Sequence, residues 1–203
     1  MISIDPKLLS GRENYKFLTG SIIPRPIAFI TTQSLEGVLN AAPFSYFNIV
    51  TDEPPMISVS VQRANGLMKD TSRNAIETGA FVVHISDEST IEKINQTAKP
   101  LPSSESEVDY SGLTPVSSTK VSVQGVKEAK IRMECVLEKA IPLGGTESAP
   151  SCDLLIGRVV YYHIRKDLYA KGRIDSAGLK PVSRLAGNIY TKLGETFEII
   201  RPV

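Results

Sequence analysis

The chain is punctuated into short strand-like runs, and that punctuation constrains its fold more than any other feature. Ile22–Thr32, Phe44–Ile49, Met56–Val61, Phe81–Ile85, Lys130–Leu137, Asp153–Ile164 and a terminal Phe197–Ile200 are rich in Ile, Val, Phe and Thr. Gly, Pro, Asn or Asp separate them, the pattern expected of strands and their turns. Two helices are predicted between the runs. The first starts at Asp70 or Thr71 and ends at Glu77, with Gly79 as the residue past its end. The second opens on Ser89-Thr90-Ile91-Glu92, a capping-box pattern, and continues to Ala98. Pro100 and Pro102 stop it, and 101–112 reads as an acidic, Ser-rich loop. Many strands with few helices, in no βα alternation, exclude a doubly wound parallel sheet. They predict a mainly β protein, a closed or partly closed barrel with helical decoration. No linker divides the 203 residues, so a single domain spanning 1–203 is expected.

Composition narrows the function classes. A formal net charge of +1 supplies no global field to attract nucleic acid or an anionic membrane, so any bound anion needs a local site. No run approaches the roughly 20 apolar residues of a membrane span. The start, MISIDPKLLSGREN, lacks a basic segment followed by an apolar one. Cys135 and Cys152 stand apart in apolar surroundings and read as structural thiols, consistent with a reducing, cytoplasmic compartment. With only His84 and His163 as imidazoles, and no paired C-x-x-C or H-E-x-x-H, no metal site is expected. Both histidines read as strand residues with satisfied hydrogen bonds. Neither a G-x-G-x-x-G nor a G-x-x-x-x-G-K-[ST] nor a G-x-S-x-G motif is present. If the chain is an enzyme, a bound cofactor carries the chemistry, and no catalytic residue is assigned.

Three neighbouring segments carry a positive signal. Lys69-Asp-Thr-Ser-Arg-Asn74 opens the first helix, where unpaired N–H groups and a partial positive charge favour a phosphate. Lys69, Thr71, and Arg63 or Asn74 could add charge-assisted bonds there. The same residues also suit a plain helix start, with Asp70 or Thr71 as cap and Lys69 solvated. Asn40-Ala-Ala-Pro-Phe-Ser45 sets small residues beside an aromatic ring and a hydroxyl, which would let a flat ring lie against the main chain. Thr31, Thr32, Ser58 and Ser60 add short polar groups on adjacent strands.

Together, SIIPRPIAFITT, NAAPFSYFN, PPMISVS and KDTSRN resemble the flavin reductase-like, FMN-binding split-barrel family. The likeness continues through Glu77–Val83, Asn95–Thr97, Glu105–Leu113, Met133–Cys135, Arg173–Asp175, Leu179–Pro181, Arg184–Gly187 and Tyr190. It implies a homodimer of split β-barrels with FMN near the subunit interface. Thr31, Thr32, Asn40, Ala42, Phe44 and Ser45 match positions lining the isoalloxazine and ribityl chain. Ser58, Ser60 and Arg63 match the strand facing the ribityl phosphate, and Lys69, Thr71 and Asn74 match the phosphate turn. Arg184 falls in the matching R-L-x-G stretch near the flavin or substrate pocket. The implied activity is NAD(P)H-dependent flavin reduction, with hydride passing from nicotinamide C4 to flavin N5. The alternative is an FMN-binding electron carrier that serves a redox partner protein without its own NADH or NADPH activity. The chain departs from commoner members at His84, where asparagine is frequent, and at Ala186, where glycine is frequent.

Overall fold

The computed structural model describes residues 1–202. Its frame is one antiparallel sheet of seven strands: β1 (Ala28–Gln33), β2 (Leu39–Phe44), β3 (Phe47–Asp52), β4 (Pro55–Gln62), β5 (Ala80–Ile85), β6 (Ile131–Leu143) and β7 (Cys152–Ile164). Their order across the sheet is β2-β1-β5-β6-β7-β4-β3. The two edges, β2 and β3, are consecutive in the chain and joined only by Ser45 and Tyr46. A link that short cannot span a flat sheet of seven strands spaced about 4.8 Å apart, so the sheet curls until its edges meet. The Tyr46 carbonyl accepts from the Ser60 N–H (2.9 Å), one step beyond the Phe47–Val59 pairing of β3 with β4. No ladder joins β2 to β3, and the barrel stays split there.

Ala28, Ile30, Phe44, Val59, Phe81, Val83, Cys135 and Leu155 fill the barrel. The opposite face of β1, β2 and β5 is also covered. Phe29, Ala41 and Val82 pack there against Ile94 and Val108, which come from the short helices α3 (Ile91–Gln96) and α4 (Glu107–Tyr110). Burial on both faces explains why β1 and β5 read as continuous apolar runs instead of alternating ones. Gly157 on β7 marks the tightest interior contact. A Cβ there would lie 2.3 Å from Phe81 Cζ, so no larger residue fits without displacing that ring.

The helix α2 (Asp70–Thr78) forms as the sequence predicts, and Gly79 ends it at φ 70° with its N–H bonded to Ala75 O. Other expectations change. The run Ile22–Thr32 is broken, because Pro24 and Pro26 have no N–H to sustain a ladder. Arg25–Pro26 leaves the main sheet to form a small ribbon with Val182–Arg184 and Tyr190–Lys192. Phe44–Ile49 divides at the barrel split. The Ser89 capping box does not form, because Ser89 N–H and Oγ both bond to the Asp87 carboxylate. A capping box appears instead between Ser10 and Glu13, opening α1 (Gly11–Ser21), a helix the strand-centred reading missed. Part of the expected 101–112 loop is α4. Phe197–Ile200 is exposed, has no regular secondary structure and no ladder partner among the described residues, so it is not a strand.

Candidate functional site

A cleft of about 420 Å³ opens beside the barrel split. One wall is Pro43, Phe44, Ser45 and Tyr46, where the chain crosses from β2 to β3, and Ser60 and Gln62 of β4 lie beside it. Lys69 stands at one end, where α2 begins. The residues facing it are Tyr15 and Thr19 of α1, Ile91, Ile94 and Asn95 of α3, and Arg25, Arg184, Asn188 and Tyr190 around the ribbon. Arg25, Lys69 and Arg184 bring three positive charges, and no lining residue is an aspartate or glutamate. Among the described residues no ion pair includes any of the three. Lys69 is the N-cap of α2, and no side chain caps that helix, so its first N–H groups keep their capacity for an anion.

Of the residues singled out from the sequence, Phe44, Ser45, Ser60, Lys69 and Arg184 line this cleft. Thr32, Asn40, Thr71 and Asn74 also come together, but as a buried network behind it. Asn40 Oδ1 accepts from Thr32 Oγ1 (3.1 Å) and Thr71 Oγ1 (3.0 Å), and Asn74 Nδ2 donates to Thr32 Oγ1 (3.4 Å). Asn40 Nδ2 and the Ala41 N–H both donate to Glu107 Oε2 at 3.0 Å. Burial pushes the Glu107 carboxyl above its ordinary range, although these bonds oppose the shift. The network fastens the first turn of α2 to β1, β2 and α4, which fixes where that helix points its N–H groups. Among the described residues Asn74 Oδ1 is buried without a partner, so the network brings these side chains together and leaves one acceptor open.

The remaining candidates lie elsewhere. Thr31 is fully buried and donates to Gln124 O (2.7 Å). Ala42 packs against the barrel interior. Ser58 Oγ donates to Asn48 O at 3.5 Å, and Arg63 is held by Asp153 at 2.6 Å, outside the cleft. His84 is fully buried between Phe29 O and the Val126 N–H, in the satisfied state expected of a core histidine. His163 bonds Glu134 (2.6 Å), whose carboxylate also takes the N–H groups of Thr119, Lys120 and Val121. Burial alone would raise the Glu134 carboxyl, but those four bonds together hold it below the ordinary range. Sequence reasoning missed Arg25, Tyr190, Asn95 and Glu107. All four lie in stretches that carry the family resemblance, but none of them is assigned a role at the site from sequence.

The fold and the cleft together define a split β-barrel protein with a cationic, carboxylate-free cleft at its seam. The chain belongs to the flavin reductase-like family, whose domain model matches residues 19–178. It is similar to an uncharacterised protein of Halalkalibacterium halodurans, 53% identical over 99% of this chain and 97% of that one. Among solved structures, component B of a nitrilotriacetate monooxygenase from Bacillus cereus is 65% identical, with TM-score 0.97 and 98% of both chains covered. The 2-nitrobenzoate 2-nitroreductase of Pseudomonas fluorescens is 30% identical, with TM-score 0.89 over 99% of this chain and 96% of that one. A split-barrel protein from Shewanella frigidimarina, 20% identical with TM-score 0.83 over 97% of this chain and 96% of that one, shares the fold. No helix among the described residues is long and apolar enough to cross a membrane.

Proposed function

We propose that the chain is an FMN-dependent oxidoreductase that draws electrons from NADH or NADPH. The observation that carries this reading is the carboxylate-free cleft that joins the uncapped start of α2 and Lys69 to the wall Pro43–Ser45. One compact cationic end suits the single phosphate of FMN; a pyrophosphate would call for a second, glycine-rich turn. Lys69, the first N–H groups of α2 and Ser60 would hold the phosphate and ribityl hydroxyls. Phe44 and Ser45 would border the ring, and the Thr32–Asn40–Thr71–Asn74 network would keep the helix start in place. FMN would supply the two-electron chemistry. The protein's own part is to hold the ligands stacked and to exclude water. The likeness to a monooxygenase component and to a nitroreductase supports the class of reaction.

The reading includes a homodimer in the cytoplasm. Its support is apolar surface left uncovered on one chain. Ile49 and Val50 are exposed on the edge strand β3, and Tyr15, Phe17 and Leu18 are exposed on α1 beside the cleft. An open edge with apolar side chains calls for a cover, and a two-fold partner provides one from the same surface. Sedimentation velocity across a dilution series, with and without FMN, should show a dimer that FMN strengthens. A monomer that retains stoichiometric flavin would remove the dimer from the reading.

Spectroscopic titration of the purified protein with FMN and FAD tests the cofactor, and anaerobic addition of NADH or NADPH tests the donor. FMN should bind more tightly than FAD, and at least one nucleotide should bleach the bound flavin. Tighter FAD binding, or flavin left oxidised by both nucleotides, would count against the respective part.

A further inference from the structure

Lys69 accounts for one anion in the cleft and leaves two arginines unexplained. Arg25 and Arg184 stand directly opposite one another on antiparallel strands of the ribbon. Such pairs bring their Cβ atoms to about 5 Å, and like charges there are destabilising. Arg25 is buried, 7% exposed, and among the described residues no carboxylate lies within ion-pair distance of it or of Arg184. Its Nη1 donates to Thr19 O (2.7 Å) and Ile22 O (2.5 Å), its Nη2 to Leu185 O (2.9 Å), and its Nε has no partner. Three carbonyls satisfy hydrogen-bond donors but do not neutralise a charge removed from water. Arg184 is held in a set position: Nη2 donates to Gly187 O (2.6 Å) and the guanidinium lies 4.4 Å over the Tyr190 ring. Tyr190 is itself fixed by its hydroxyl bond to Asn95 Oδ1 (2.9 Å).

We propose that Arg25 and Arg184 form a second anion pole in the cleft, which receives a carboxylate or phosphate ester of the substrate that meets the flavin. The proposal rests on the flavin reading for what lies beside that substrate. An incoming anion would offset the repulsion between the two arginines, and the ordered Arg184 fork could grip it in two-pronged fashion. Arg25, committed to three carbonyls, acts as a positioning residue that also adds its field. The pole selects by charge, so a neutral analogue of the same shape should bind poorly.

Calorimetry with benzoate and benzamide, on FMN-loaded and on flavin-free protein, tests the pole. Benzoate should bind the loaded protein at least tenfold more tightly than benzamide. Arg184→Gln should erase that preference, while Arg184→Lys should keep part of it. Relief of repulsion predicts that flavin-free Arg184→Gln melts no lower than the parent, an outcome a purely structural arginine would not give. Phenyl phosphate run in parallel distinguishes an ester from a carboxylic acid as the preferred anion. Equal affinity for benzoate and benzamide would overturn the proposal. So would an Arg184→Gln protein that loses FMN but keeps riboflavin, because the pole would then serve the flavin phosphate. Should FMN not bind at all, the flavin reading falls, and the flavin-free comparison still decides whether the pole exists.

Discussion

Asn40 and Glu107, 67 residues apart in sequence, meet at 3.0 Å beneath the first turn of α2. Their bond joins a buried network that links α2 to β1, β2 and α4. Asn40→Ala removes the acceptor for Thr32 and Thr71 and one donor to Glu107 at a stroke. Leaving buried groups unpaired costs about 1–3 kcal/mol each, and part of that is recovered by relaxation. Urea unfolding should show Asn40→Ala destabilised by about 2–4 kcal/mol. If the network positions the helix start, FMN and riboflavin should weaken alike in this variant.

Lys69→Ala should behave differently, because it removes one charge at the mouth of α2 and leaves the network intact. FMN affinity is expected to drop by about 1.5–3 kcal/mol, the range for a hydrogen bond to a charged group. Riboflavin, lacking the phosphate, should barely respond. Parallel titrations decide the matter: equal losses for both ligands would assign the lysine to stability.

His84 makes stability depend on acidity. Burial is the main cause that lowers its pKa from 6.5 to about 4, and the bond to Phe29 O works in the opposite direction. The Val126 N–H already occupies Nε2, so a second proton has no place in the folded state. Above about pH 6.5 both folded and unfolded forms are neutral, and the histidine adds no pH dependence. Between 6.5 and 4 the unfolded chain alone takes up the proton, so stability falls with pH by about 1.4 kcal/mol per unit. The accumulated loss reaches about 3 kcal/mol near pH 4. The difference in unfolding free energy between the parent and His84→Asn, followed from pH 7 to 4, isolates this histidine from the carboxylates. A difference that stays constant over that range would refute the assignment.

Gly157→Ala tests the closest packing in the barrel. The new methyl would fall 2.3 Å from Phe81 Cζ and 3.2 Å from Cys135 Cβ. Phe81 is fully buried in the barrel core, where a shift of its ring must displace neighbouring side chains. A loss of about 1–3 kcal/mol, the usual cost of overpacking, is expected in thermal or urea unfolding. Combining the change with Phe81→Leu should recover part of it, since the side chain in conflict would be shortened.

Local chemistry in the sequence was enough for everything that acts within a few residues. The β-rich, non-alternating order implies the barrel, Gly79 ends α2, and Lys69 stands where the predicted helix begins. The Asn40–Ser45 segment read as a surface for a flat ring, and its Pro43, Phe44 and Ser45 line the cleft. Tertiary structure decided which of the singled-out polar residues line the cleft and which bond one another. Thr32, Asn40, Thr71 and Asn74 have the side chains of a binding site, yet the curl of the sheet turns them towards one another and Glu107. Arg63 is neutralised by Asp153 from the neighbouring strand β7, a partner that ladder register supplied. Arg25 and Arg184 become a pair only because the prolines divert the chain from the main sheet into a ribbon with a distant segment. Phe197–Ile200 shows the converse: strand propensity yields no strand where no ladder partner is within reach. A side chain's type records what it can bond to, but its direction and its partner depend on contacts between residues far apart in the chain, which exist only once the barrel has closed.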